Sequence, residues 1–289
     1  MPHPLYGLYE RRLLSSLSHE RMPRHVGVIL DGNRRWARSI GLSATSGHQR
    51  GADHIAALLG WCEEVGVEVV TLWMLSTDNL SRDTEEIEAL LGIIETTVGE
   101  LAATRRWRLQ PMGSLDMLPE STRKALKAAE AATGDVAGLH VNVAVGYGGR
   151  HEIADAVRSY LREQADDGAT LDDIATDFDV EHIAAHLYTK GQPDPDLVIR
   201  TSGEQRISNF LLWQIAYSEI LITDRLWPDF NGLHLLEAIA DYQRRERRFG
   251  GLGESFTDED LNNLEPAEQV AEEIKDHLIP QPHPELTRR

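Results

Sequence analysis

The sequence predicts an α/β fold: one domain with a mostly parallel six-stranded sheet covered by helices on both faces. Six short apolar runs have strand length and show little polar alternation, as expected of strands buried on both sides. Segments with helical spacing separate most of them, which calls for crossover connections. Hydrophobic residues make up 41% of the chain, enough to fill a sizeable core.

The elements follow in order. HVGVILDG (25–32) is an apolar run ending in Asp-Gly, hence a buried strand and a turn. GADHIAALLGWCEEVG (51–66) has helical spacing and a terminal glycine. VEVVTLWMLS (67–76) is the second strand. DTEEIEALLGIIETTVGELAATR (83–105) is a long helix, with Asp83 and Glu86 spaced as a cap pair. RLQPMGS (108–114) is a weaker strand, followed by the helix PESTRKALKAAEAAT (119–133). LHVNVAVGYGG (139–149) is a strand with a glycine-rich exit into the helix HEIADAVRSYLREQA (151–165). A polar stretch with a short helix leads to the strand DLVIRTSG (196–203). SEILITD (218–224) is the sixth strand, and HLLEAIADYQRRERRF (234–249) is the closing helix.

The chain has 289 residues, with 29 Lys and Arg against 47 Asp and Glu, a formal charge of −18. Such acidity argues against nucleic acid as a partner, since that footprint is a basic face. No apolar stretch approaches the roughly 20 residues of a membrane span, and the first residues lack a signal peptide's apolar core. One cysteine, Cys62, cannot form an internal disulfide and reads as packing. A soluble cytoplasmic protein is the expectation. From Gly251 onward there are 10 acidic and 3 basic residues, which reads as a solvated, partly disordered tail.

In a parallel sheet of this kind the ligand site lies outside the carboxyl ends of the strands. That rule singles out four loops. DGNRRWAR (31–38) offers a carboxylate, a tight glycine turn, a helix start and Arg34, Arg35 and Arg38 for phosphate oxygens. Asp31 beside phosphates suits Mg2+. A capped helix with a solvated basic face fits the same spacing. In STDNLSR (76–82), Ser76, Thr77, Asn79 and Arg82 can bind oxygens, although such residues are also common at caps. GYGGR (146–150) is not a dinucleotide fingerprint, and no phosphate-loop motif occurs. RTSGEQRIS (200–208) sets Arg200 and Arg206 six apart with Ser208 beyond, a second candidate anion clamp. Arg200 adjoins the apolar run DLVI, where a charge needs a partner or a ligand. Glu219, among apolar neighbours, is either a metal ligand or half of an ion pair.

With these segments in view, the chain resembles the cis-prenyltransferases, the family of undecaprenyl diphosphate synthase. HVGVILDGNRRWAR, GHQRGA, LSTDNLSR, VNVAVGYGGR, DLVIRTSGEQRISNFLLWQIAYSE, WPDF and RRERRFGG carry the resemblance over roughly residues 23–251. It implies three parts: an N-terminal helical segment (1–22), a catalytic domain (23–251) and the acidic tail (252–289). It implies a hydrophobic tunnel for a prenyl chain. It implies a homodimer that joins isopentenyl diphosphate to an allylic diphosphate, geranyl or farnesyl, with Mg2+, making a Z double bond. Asp31 matches the catalytic aspartate and Mg2+ ligand. Gly32, Asn33, Arg34 and Arg35 match the allylic diphosphate loop, with Trp36 and His48 nearby. Ser76, Thr77 and Asp78 match the lining of the site, Asn79 the residue assigned to proton removal, and Arg82 a substrate-binding arginine. Arg200, Arg206, Ile207 and Ser208 match the isopentenyl diphosphate clamp, and Glu219 the second Mg2+ ligand. Arg248, Phe249 and Gly250 match a motif that reaches across the dimer interface. Membrane contact is expected only through the apolar product.

Three departures stand out. Ala44 occupies the place of a diphosphate-binding arginine, and Leu80 replaces an aromatic residue. Met74 replaces a small residue two before Ser76. If Met74 faces the tunnel it stops chain growth, as in the short-chain actinobacterial members that make Z-farnesyl diphosphate; plain core packing is the alternative. The pattern therefore predicts a short, C15 product. A long-chain C50–C55 synthase and a head-to-middle, lavandulyl-type enzyme are the competing expectations.

Overall fold

The protein is described as a computed structural model over residues 12–245. Arg248, Phe249, Gly250 and the acidic tail lie outside the described residues. Residues 12–16 are helical and His19–Arg21 form a 3-10 turn, so part of the N-terminal segment is helical as expected.

Six strands form one sheet: β1 (His25–Ile29), β2 (Val69–Ser76), β3 (Arg108–Met112), β4 (His140–Tyr147), β5 (Leu197–Arg200) and β6 (Glu219–Ile222). Their order is β3-β4-β2-β1-β5-β6, and every pairing is parallel. The helices between them are α1 (Asn33–Ser39), α2 (Ala44–Asp53), α3 (Ile55–Glu64), α4 (Thr84–Thr104), α5 (Glu120–Thr133), α6 (Gly149–Asp166), α7 (Leu171–Asp177), α8 (Val180–Ala184) and α9 (Gly232–Arg244). Progress along the sheet reverses at β1, which lies between β2 and β5. The crevice that such a reversal opens lies outside the carboxyl ends of these central strands.

The two faces of the sheet are filled differently. On one, Val26, Val28, Val70, Leu72, Val141, Val143, Leu197 and Ile199 pack with Leu58 and Cys62 of α3, Ile94 and Val98 of α4, Leu126 of α5 and Ile239 of α9. Cys62 is fully buried here, and desolvation pushes its thiol up to about 12, so it packs and does not react. On the other face, Ile29, Ala144, Tyr147 and Val198 meet Phe210, Leu211 and Ile215 of an irregular segment. Gly27 makes room for it: a Cβ there would stand 3.0 Å from the Phe210 ring. α6 joins this face through buried Glu152, which accepts from Tyr147 Oη, Tyr188 N and Gln214 Nε2. Helices thus cover one face, and the second shares its cover with an irregular chain.

Two helix expectations change. The single helix read over 51–66 is two helices, α2 and α3, meeting at His54. α2 starts earlier, where the Ser43 hydroxyl accepts from Ser46 N, and its inward Gly47 and Gly51 carry no apolar signal. A Cβ on Gly47 would lie 2.3 Å from the Asn33 carbonyl oxygen, and one on Gly51 would lie 2.3 Å from Asn33 Oδ1, so the two glycines let α2 close onto α1. The cap pair at Asp83 and Glu86 is half right. Asp83 caps α4 by accepting from Glu85 N at 3.0 Å, but Glu86 turns into the candidate site.

Candidate active site

The loops that leave β1, β2 and β5 enclose a cavity of about 360 Å³. Asp31, Gly32, Asn33, Arg34, Arg35, His48, Met74, Ser76, Asp78, Asn79, Arg82, Arg200, Arg206 and Ser208 all line it. Ile29, Leu30, Trp73, Leu75 and Leu90 complete the wall.

Asp31 is fixed at both backbone ends. Its N–H donates to Thr201 Oγ1 at 2.9 Å, and its carbonyl accepts from Thr201 Oγ1 at 2.6 Å and from Trp227 N at 3.0 Å. Gly32 then turns the chain with φ +110°, in a place where a Cβ would stand 2.9 Å from Leu226. The Asp31 carboxylate accepts from Arg200 Nη2 at 2.8 Å. Arg200 is 5% exposed at its side chain, and its Nη1 donates to Ser208 Oγ at 2.9 Å and to the Arg206 carbonyl. Its Nε is buried without a partner. The charge flagged beside DLVI is therefore met by Asp31 and by the loop of Arg206 and Ser208.

Two carboxylates that the sequence reading did not place in the site hold the other arginines. Glu86 faces Arg82 at 3.1 Å, Arg34 at 3.6 Å and His48 at 3.9 Å. Glu204 faces Arg35 at 3.4 Å and pairs with Arg206. Burial, then the positive charge of Arg82, lowers the His48 pKa from 6.5, so its ring is neutral at pH 7. A negative group entering the cavity thus meets arginines already paired with carboxylates. Glu86 was legible only as a cap residue, and Glu204 only as part of GEQR.

Asn79 sits in a 3-10 turn (Asp78–Ser81), where its N–H donates to Ser76 Oγ at 3.1 Å. Met74 is placed by an irregularity in β2. Trp73 pairs with Ala144 and Leu75 with Val145, so Met74 is the extra residue of a bulge. Bulges re-aim side chains, and here Trp73, Met74 and Leu75 all reach the cavity. Next to Leu90, buried Leu91, Ile94, Leu118 and Val145 belong to one packed core. The apolar part of the cavity wall, Trp73, Met74, Leu75 and Leu90, lies beside that core.

Of the described residues that the family resemblance assigns to the site, four do not line the cavity, and Arg38 does not line it either. Trp36 donates from Nε1 to Asp229 at 2.8 Å. Thr77 is buried, its N–H on the Tyr147 carbonyl at 3.0 Å. Ile207 packs with Phe210 and Tyr147 on the second face of the sheet. Glu219 opens β6 beside Leu197, the first residue of β5, whereas Arg200 closes β5 beside the site. At about 3.3 Å per residue, Glu219 lies some 10 Å further down the sheet than Arg200. Its carboxylate accepts from Arg245 Nη1 at 3.0 Å. Glu219 is thus half of an ion pair with Arg245, at the opposite end of β6 from the strand ends that border the cavity.

The family profile described as "Putative undecaprenyl diphosphate synthase" matches residues 29–250. The chain belongs to this family of cis-prenyltransferases. A (2Z,6E)-farnesyl diphosphate synthase of Thermobifida fusca (strain YX) is 60% identical over 248 residues, 86% of this chain and 97% of its own. A short-chain Z-isoprenyl diphosphate synthase of Mycobacterium leprae (strain TN) is 50% identical over 254 residues, 86% and 97% of the two chains. Among solved structures, lavandulyl diphosphate synthase from Lavandula x intermedia, in complex with dimethylallyl diphosphate, superposes with a TM-score of 0.74 at 36% identity. That match covers 80% of this chain and 100% of the other.

Site and family agree. Arginines set around one carboxylate at strand ends suit diphosphate oxygens, and the apolar side chains beside them suit hydrocarbon. Among the described residues no group of three or more His, Cys, Asp or Glu could hold a metal alone. Mg2+ does not need one, since one or two carboxylates plus substrate phosphates commonly hold it. Asp31, one-third exposed and on the cavity wall, fits that donor set.

Proposed function

We propose that this enzyme joins isopentenyl diphosphate to a short allylic diphosphate, geranyl diphosphate, and releases a C15 product with one new Z double bond. The observation that carries this is the lining of the cavity: five arginines share it with Asp31, and Trp73, Met74, Leu75 and Leu90 add an apolar wall. The short-chain relatives support the product length.

Arg34, Arg35, Arg82 and His48, with Gly32 and Asn33, take the allylic diphosphate. Arg200, Arg206 and Ser208 take the homoallylic one. Ionisation breaks the allylic C–O bond and loads charge onto the leaving diphosphate. Fixed arginines stabilise that charge most where water is excluded. Mg2+, held by Asp31 and substrate phosphates, would add Lewis-acid stabilisation of the same charge. The double bond of isopentenyl diphosphate attacks the cation, a C–C bond forms, and a proton leaves. Asn79 is a poor base because a neutral amide hardly takes a proton; it orients the group that accepts the proton, a water or the departed diphosphate.

The same proposal makes the enzyme a homodimer. β6 is an edge strand, with Ile222 38% and nearby Tyr217 73% exposed. Arg248 and Gly250 would act across that interface. It also places the enzyme in the cytoplasm, with membrane contact through the apolar product alone. No helix among the described residues is long and apolar enough to cross a membrane.

The test is product structure. The purified enzyme is given Mg2+, geranyl diphosphate and labelled isopentenyl diphosphate, and the product is read by mass spectrometry and NMR. A linear chain with a new Z bond is expected. A branched head-to-middle skeleton or an E bond overturns the proposal.

A further inference from the structure

The segment that carries the Arg206–Ser208 clamp has an unusual backbone. Ser208, Asn209 and Leu211 have φ of +50°, +75° and +42°. Each costs about 1 kcal/mol or more for an ordinary L-residue, with Asn among the most tolerant. Such a turn persists only where its surroundings fix it.

Asn209 supplies much of that fixing. Its carbonyl accepts from Gly149 N at 2.8 Å, and its Oδ1 accepts from Arg150 N at 2.9 Å. These are the first N–H groups of α6, which a helix cannot satisfy internally. The cap residue of α6 is Gly148, with no side chain to offer. Asn209 thus caps α6 from a distant point in the sequence. Gly148 also lets three exits converge: a Cβ there would lie 2.7 Å from Asn209 Nδ2 and 2.8 Å from Thr77 Oγ1. Thr77 follows β2, Gly148 follows β4, and Asn209 lies beyond β5. The next residue, Phe210, is fully buried and stacks on Trp73 with ring centroids 5.2 Å apart. The preceding residue, Ser208, accepts from Arg200, as does the Arg206 carbonyl. Asn209 itself does not line the cavity.

We propose that Asn209 is a positioning residue: by capping α6 it holds the Arg206–Ser208 turn against Arg200 and so sets affinity for the homoallylic diphosphate. This rests on the assignment of that clamp to isopentenyl diphosphate. Asn209→Gly is the first variant, because glycine adopts positive φ freely and the turn keeps its backbone. Its carbonyl still accepts from Gly149 N, and the loss is the side chain that carries the Oδ1 acceptor. KM for isopentenyl diphosphate should rise about tenfold, as small displacements at a reacting site cost that much or more. KM for geranyl diphosphate should stay within about twofold, since its arginines sit on other loops. Asn209→Asp keeps an oxygen for Arg150 N and puts negative charge at a helix N-terminus, where it is favourable; it should recover most of the lost affinity. Melting temperature is followed in both. A purely structural role predicts a lower Tm with an unchanged KM ratio, and that overturns the proposal. So does an Asn209→Asp enzyme as impaired as Asn209→Gly. Arg206→Ala separates the layers. If it raises KM for isopentenyl diphosphate and Asn209→Gly does not, the positioning role alone falls. If neither variant raises it, the clamp assignment falls as well.

Discussion

Around Asp31 the cavity is walled by charged side chains that fix one another, whereas around Met74 it is walled by groups with few hydrogen bonds to make. At the polar end, Arg200 is anchored by Asp31, Ser208 and the Arg206 carbonyl, and Glu86 and Glu204 pair with four further arginines. At the apolar end, Trp73, Met74, Leu75 and Leu90 define the space by volume alone. The first end can be broken by removing a single charge. The second can only be reshaped. On the proposed function, the polar end would decide whether reaction occurs and the apolar end how far the chain grows.

The largest effects belong to the polar end. Arg200→Lys loses the planar fork that spans Asp31 and Ser208, and Asp31→Asn removes the carboxylate that faces the substrates. Loss of one preorganised charge-stabilising group costs about 10²–10³ in kcat, and steady-state turnover with folding checked by circular dichroism should show that loss. Near-normal turnover in either variant would erase the distinction between the two ends.

Glu86→Gln should have a smaller effect of opposite sign. Glu86 competes with an incoming diphosphate for Arg34 and Arg82, both partly exposed. Exposed pairs are worth about 0–1 kcal/mol, so KM for the allylic diphosphate should fall by up to about fivefold. A large rise would mean that Glu86 orients these arginines and does not merely occupy them.

The smallest effect on rate is expected at the apolar end. Leu90→Ala should leave kcat within about threefold, since no charge-stabilising contact is lost, while the apolar part of the cavity widens. Kinetics on the purified variant, with products separated by chain length, check both halves. A hundredfold loss of rate would show that hydrocarbon packing also controls the chemistry.

The two ends differed in the same way in the sequence. Asp31, Arg34, Arg82, Arg200 and Arg206 stood out because charge at the end of a buried strand demands a partner, and parallel-sheet topology says where strand ends lead. Glu86 was hidden by its second role, since an acidic residue in the first turn of a helix needs no further explanation. Thr201, which fixes Asp31 through a hydroxyl, carried no signal beyond its place after Arg200. Glu219 looked like a ligand because it is acidic amid apolar neighbours, but strand register puts it at the other end of β6. At the apolar end, core packing and cavity lining gave Met74 the same appearance. Only the bulge between Trp73 and Leu75 separates them, and a bulge has no residue signature in WMLS. The α2 boundary was missed for a related reason: its inward face is glycine, which hydrophobic periodicity cannot register.

The central claim is that Met74, on the wall of the arginine-lined cavity, limits the growing chain to C15. It is tested by sizing products of the wild-type enzyme and of Met74→Ala, both supplied with excess labelled isopentenyl diphosphate and geranyl diphosphate. The account predicts C15 from the wild type and longer chains from Met74→Ala. Mainly C50–C55 chains from the wild type, or an unchanged C15 product from Met74→Ala, would contradict it.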